Sequence, residues 1–414
     1  METGALLLVP TIAAGLYVAW NIGANDVANS MATSVGSGAL TLRRAVLVAA
    51  LCNVAGAILA GVHVTHTVQK GIVDTSLFVG SPERLAYGML AALIAAGLWL
   101  QLATYCGLPV STTHSIVGGV AGFGLIHGGL GAIEWEKFLQ IVASWLISPL
   151  AGGVLAFGIF IYINRKIISA DNPGQAMRRH MPVLVFAMSA ILCLSLLYKG
   201  LKNLHLSFPL GSALGVALLA GGLACLLGRV LIDRALARHL TSDRDGFALI
   251  ERMFMYLQVL TASYVAFSQG ANDVANAVGP VAGALSVVRD GFVSQKVHVH
   301  TWLLAVGGLG IAVGIATWGY KVIATIGHRV TDLTASRGFS AEFGTATTGL
   351  VCSKLGLPVS TTHVLVGAVV GVGMARGMAA LNLRVISTIL KAWLVTVPIV
   401  AALAMLIYRL FLIL

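Results

Sequence analysis

The chain has 414 residues, of which 58% are hydrophobic and only 10% charged, with a mean hydropathy of +0.92 and a net charge of +11. That leaves too little polar surface for a soluble domain, so the composition points to a membrane protein. The positive charge does not mark a nucleic-acid binder: Lys and Arg fall between apolar runs, where anionic headgroups and the positive-inside bias account for them.

In chain order, Met1-Glu2-Thr3 places no basic stretch ahead of the first apolar run, which therefore reads as a retained helix and not a cleaved leader. Apolar segments follow near 5–20, 43–62, 85–105, 111–129 and 138–163. Each is long enough to be read as a helix crossing the hydrocarbon, whereas a barrel would show short alternating strands. Between Thr3 and Leu42 the only formally charged side chain is Asp26, inside Gly23-Ala24-Asn25-Asp26-Val27-Ala28-Asn29. A lone carboxylate in an apolar span is costly, and such groups are usually functional.

A basic loop is expected at 164–180, with Arg165, Lys166, Arg178 and Arg179. Two apolar segments, 181–198 and 203–228, then form a central pair joined by a loop holding Lys199 and Lys202, and a second charged loop is expected at 229–252. From about 253 the first-half pattern restarts. The acid run returns unchanged at Gly270 to Asn276, a shift of 247, and Gly107-Leu-Pro-Val-Ser-Thr-Thr-His114 returns at Gly356 to His363, a shift of 249. Two long identical strings at nearly one offset mean internal duplication. The chain divides into a first unit at 1–165, basic loops with a two-helix linker at 166–250, and a second unit at 251–414.

With both charged loops assigned to the cytoplasm and both termini outside, each unit crosses an odd number of times. Odd units joined by an even linker have opposite orientations. The expected fold is an all-α polytopic membrane protein with about twelve crossings, five, two and five, in two inverted repeats with broken or re-entrant helices and a central helical pair.

Two constellations carry chemistry. In the acid run, Asn25 and Asn29 share a helical face with Asp26 one step round, an oxygen-rich set suited to a hard monovalent cation. Glycine there is expected to let carbonyls leave the helix ladder. In the second string, Pro109 and Pro358 break the preceding helix and the hydroxyl residues cap the next. A helix starting inside the membrane would offer N–H groups, a positive dipole end and hydroxyl donors to an oxyanion. Ordinary capping and helix-to-helix hydrogen bonding are the plainer readings of one copy; duplication favours function.

These paired strings, with Arg337-Gly338-Phe339-Ser340-Ala341-Glu342, resemble the inorganic phosphate transporter (PiT) family over nearly the whole chain. The resemblance implies sodium- or proton-coupled phosphate symport, an inverted-repeat architecture and a homodimer in the cell membrane. By motif position, Ser111, Thr112, Thr113, Ser360, Thr361 and Thr362 would hold phosphate. Asn25, Asp26, Asn29, Asn272, Asp273 and Asn276 would hold the coupling cation, and both aspartates could bridge to substrate. Na+ is the expected coupling ion, with H+ as the alternative; sulfate is the alternative substrate, and a passive anion channel the alternative of another class. No enzymatic cofactor is expected.

Other features read as structural. The Ser-Thr-Thr-His runs lack the acid partner of a hydrolase. His63, His66, His298 and His300 have no third metal ligand close in sequence. The five cysteines sit singly and read as buried small hydrophobes. Glu342 beside Arg337 reads as a local ion pair or cap.

Overall fold

The computed structural model describes residues 2–61, 72–197, 209–239, 243–290, 292, 299–354 and 359–413. Its elements in the first half are α1 (Glu2–Asp26), α2 (Ala28–Gly36), α3 (Leu42–Ala60), α4 (Pro82–Tyr105), α5 (Thr112–Gly128) and α6 (Trp135–Ile163). The central pair is α7 (Pro173–Ser195) and α8 (Leu210–His239). The second half contains α9 (Asp243–Asp290), α10 (Thr301–Trp318), α11 (Tyr320–Ala324), α12 (Ala335–Lys354), α13 (Thr361–Ala375) and α14 (Leu383–Phe411). Among the described residues the only β contact is an isolated bridge between Val73 and Ile133.

Nine segments among the described residues are long and apolar enough to cross a membrane: Leu7–Gly36, Leu42–Ala60, Pro82–Tyr105, Thr112–Ala132, Trp135–Ile168, Pro173–Ser195, Leu210–Ala237, Thr301–Trp318 and Leu383–Phe411. Helix boundaries follow local chemistry. Asn172 caps α7 by accepting from the Gln175 N–H at 3.0 Å, with Pro173 at the first helical position. Asn382 caps α14 by accepting from the Val385 N–H at 3.3 Å.

The charged stretches expected as loops are mostly helix. Residues 173–180 belong to α7, and the basic run from Arg229 is the end of α8 and the start of α9. Basic side chains there extend existing helices, because Arg and Lys are good helix formers and can reach the interface from a helix end. His63, His66, His298, Pro358, Lys199 and Lys202 lie outside the described residues. The cysteine expectation fails at Cys106, which is exposed at the end of α4; Cys352 is buried and the other three are half-buried.

The packing is reciprocal between the two halves. The hydroxyl-string helix α5 packs on α14, and its counterpart α13 packs on α6. Likewise α1 packs on α10 and α9 packs on α3. The glycine that opens each acid run makes these last two contacts possible. A Cβ on Gly23 would lie 1.9 Å from the Ile311 carbonyl oxygen, and one on Gly270 2.1 Å from that of Asn53. Close backbone approach through small residues is how apolar helices associate where burial from water contributes little. These glycines therefore serve the helix crossing.

One core of buried residues draws on both halves, from Val18 and Met31 to Ile311, Val369 and Val400. A second core seats the central pair: Met177, Met181 and Met188 of α7 with Ile232 and Leu236 of α8 pack against Phe254 and Phe339. Along α8, Leu219, Leu223, Leu226 and Leu227 remain exposed, as suits a helix facing lipid.

Candidate functional site

The first hydroxyl string is built from a helix stop, a turn and a helix start. Gly107 takes the left-handed conformation at φ +67°, the Gly107 N–H donates to Thr104 O at 2.9 Å and the Leu108 N–H to Ala103 O at 2.8 Å. This closes α4 in the manner that a glycine beyond the last turn favours. Pro109 follows, and Ser111 then caps α5, its hydroxyl accepting from the His114 N–H at 3.3 Å. In the second copy Ser360 caps α13 in the same way, accepting from the His363 N–H at 3.3 Å. Ser111 has φ −84° and ψ 119°, and Ser360 has φ −84° and ψ 113°. The duplicated sequence thus gives duplicated cap geometry.

Asp26 lies where the two strings meet the first acid run. It is 1% exposed. Its Oδ2 accepts from the Thr112 hydroxyl, and its Oδ1 accepts from Asn29 Nδ2 at 3.1 Å and from the Thr362 hydroxyl at 3.3 Å. One carboxylate therefore binds a threonine from each string. Asn29 Nδ2 also lies 2.9 Å from Thr362 Oγ1 and 3.5 Å from Thr361 Oγ1. From the other run, Asn276 Nδ2 donates to Thr113 Oγ1 at 3.3 Å. Six of the twelve named positions besides Asp26 thus make contacts among these runs and strings: Asn29, Thr112, Thr113, Thr361, Thr362 and Asn276.

Thr113, Thr361 and Asn272 are half-buried, while Asp273 is 5% exposed within α9. Ser111 and Ser360 act as caps. Asn25 is bonded at both ends of its amide: its Nδ2 donates to Thr104 Oγ1 and Leu108 O, both at 3.0 Å, and its Oδ1 accepts from the Val110 N–H at 3.1 Å. Both ends of its amide hold the Gly107 to Val110 turn against α1.

Three features were not drawn from the sequence. Gln269, 1% exposed, donates from Nε2 to the backbone carbonyl of Asp26; the signal was a polar residue immediately ahead of the second run. Glu342 is fully buried, not an ion-pair partner of Arg337. Its Oε1 accepts from the Thr33 hydroxyl and from Ser34 at 3.0 Å, its Oε2 from Thr261 at 2.5 Å. Arg337 instead donates to the Asp332 carbonyl at 3.3 Å. Third, the His114 and His363 rings meet edge to face at 4.5 Å, and each lies on an indole, Trp145 at 3.9 Å and Trp393 at 3.7 Å.

Chemically, the site offers hydroxyl donors and two capped helix starts around a buried carboxylate. That arrangement can hold an oxyanion and a cation together. A phosphate transporter family matches residues 22–404. A Pyrococcus horikoshii protein carrying the phosphate permease name is 43% identical over 402 residues, 97% of each chain. The chloroplastic inorganic phosphate transporter 2-1 of Arabidopsis thaliana is 44% identical over 429 residues, covering 96% of this chain and 71% of that protein. A solved structure of a sodium-dependent phosphate transporter superposes with a TM-score of 0.87 at 42% identity, covering 99% of this chain and 100% of the other. With helices able to cross a membrane and a family match over nearly its whole length, the chain belongs to the phosphate transporter family.

Proposed function

We propose that the protein imports inorganic phosphate by Na+ symport through alternating access. The observation that carries the reading is the sharing of Asp26 between Thr112 and Thr362. The hydroxyls a phosphate would use are engaged by a carboxylate, and a phosphate brought beside that carboxylate would be repelled in a poor dielectric. A cation on Asp26 removes both obstacles, since it neutralises the acid and lets the hydroxyls turn to the anion. Phosphate affinity then depends on the cation, which is the basis of coupling. The solved neighbour is sodium-dependent by name, which favours Na+ over H+.

In this reading Thr112, Thr113, Thr361 and Thr362 donate to phosphate at the helix starts that Ser111 and Ser360 cap. The acid runs supply the cation ligands, Asp26 and Asn29 in one, Asn272, Asp273 and Asn276 in the other, while Asn25 keeps the string in place. The nine apolar segments, with α9, α12 and α13, make five, two and five crossings, and reciprocal packing supports opposed orientation of the units at 1–165 and 251–414 about the linker at 166–250. Both termini face outward in a cell membrane, and the protein works as a homodimer.

Uptake of labelled phosphate and sulfate into proteoliposomes, under an imposed Na+ or H+ gradient, tests the reading. Accumulation of phosphate driven by Na+ is expected. Accumulation driven only by H+, preference for sulfate, or equilibration without a gradient would each replace it.

A further inference from the structure

The seven residues of the acid run are identical in both copies, yet their backbones differ. In the first copy α1 stops at Asp26 and α2 begins at Ala28; in the second the run lies inside the unbroken α9. The residue just ahead of the run is Ile22 in the first copy and Gln269 in the second. Gln269 reaches across and donates its Nε2 to the Asp26 carbonyl. In a regular helix that carbonyl would accept from the Ser30 N–H; here Ser30 turns to Val27 O at 3.3 Å. Ile22 has no donor with which to reciprocate.

The carbonyl can only accept, so the orientation of the Gln269 amide is determined: nitrogen on Asp26, oxygen away from it. Gln269 Oε1 is buried with no hydrogen-bond partner. The same holds for Asn29 Oδ1, whose nitrogen donates to Asp26 Oδ1. Two buried amide oxygens, each tied through its own nitrogen to Asp26, leave acceptors unsatisfied at a position where such groups are costly. They add two unengaged oxygens beside the carboxylate, and oxygen is the ligand type that hard cations select.

We propose that Gln269 is a cation ligand of the Asp26 site, binding Na+ through Oε1 alongside Asn29 Oδ1 and the Asp26 carboxylate, and that this makes the two acid runs unequal cation sites. The assignment rests on the symport reading above. The set crosses between the halves, with Asp26 and Asn29 from one and Gln269 from the other. The Asp273 site, with Ile22 in the equivalent place, lacks the added oxygen and holds its ion less tightly.

The test uses full-length protein with Na+ alone as the probe. Na+ binding without phosphate is read from the Na+-dependent rise in melting temperature, and phosphate uptake into proteoliposomes is titrated with Na+. Gln269→Met, close in volume but without the oxygen, should raise the Na+ concentration for half-maximal response by about tenfold or more, with phosphate half-saturation at saturating Na+ changed by less than about threefold. Gln269→Glu keeps an oxygen and loses the N–H, so it should retain Na+ binding; a side chain that merely pins the Asp26 carbonyl would fail in both variants. Gln269→Ala provides the same reading where Met does not yield folded protein. Unchanged Na+ dependence in Gln269→Met, or equal impairment of Met and Glu variants, overturns the assignment while leaving Na+ symport intact. Wild-type uptake indifferent to Na+ would overturn the symport reading itself, and the assignment with it.

Discussion

Thr362 lies 336 positions after Asp26, yet its hydroxyl donates to Asp26 Oδ1 at 3.3 Å. The same hydroxyl is 3.3 Å from the Val110 carbonyl in the other string. A single threonine thus touches the acid run and the turn that starts the opposite helix. Any movement of one half relative to the other would rearrange this contact.

Asp26→Asn keeps the shape of the site and removes the charge. Coupled uptake in proteoliposomes should be lost while the protein elutes as a folded species on size exclusion; Asp273→Asn is expected to do the same. Normal Na+-dependent transport by both variants would remove the carboxylates from the cation site.

Thr362→Val deletes a hydroxyl that serves both Asp26 and the proposed anion, whereas Thr113→Val deletes one bonded to Asn276. Loss of a hydrogen bond to a charged group costs about 1.5–3 kcal/mol, so phosphate affinity should fall roughly 10- to 100-fold in either variant. Na+ binding measured without phosphate should survive in both variants. Equal phosphate affinity in wild type and both variants, by calorimetric titration, would rule out the hydroxyl cradle.

Gly270→Ala places a Cβ 2.1 Å from the Asn53 carbonyl oxygen, so α9 must separate from α3. Its melting temperature in detergent should drop sharply. Gly158 in α6 has nothing within 4 Å of its Cβ position, and Gly158→Ala should be neutral or stabilising by up to about 1 kcal/mol from helix propensity. Matching melting temperatures for the two variants would argue against the crossing.

Glu342→Leu leaves the hydroxyls of Thr33 and Ser34 without their buried acceptor, at about 1–3 kcal/mol for each group. Glu342→Gln keeps an accepting oxygen there and should melt within a few degrees of wild type. A leucine variant as stable as the glutamine one would show that this cluster does not tie α2 to α12.

Much of this molecule is readable along the chain because its signals are local. Asp26 alone among apolar residues, Gly107-Leu-Pro-Val-Ser as stop, turn and cap, and the return of both strings 247 and 249 residues later depend only on neighbours in sequence. Local backbone preference and side-chain capping act over a few residues, so helices, caps and duplication were all legible, as were the threonines and the acid that the structure gathers. Charge at 173–180 and after 229 does not mark a loop, because Arg and Lys there continue a helix.

What only the tertiary structure decided are the relations between distant residues. Nothing local tells that α5 lies on α14 while α13 lies on α6, that Glu342 faces three hydroxyls, or that Asn25 holds a turn. The clearest case is the acid run itself. Seven identical residues have identical local preferences, yet one copy is interrupted at Val27, where Ser30 N–H turns from the Asp26 carbonyl to that of Val27, and the other is continuous. The carbonyl that would have continued the helix is taken by Gln269, a side chain 243 residues away, and Ile22 cannot return the bond. Sequence determined which groups are present; packing decided which one captured that carbonyl, because a hydrogen bond in the membrane interior has no water to compete with it.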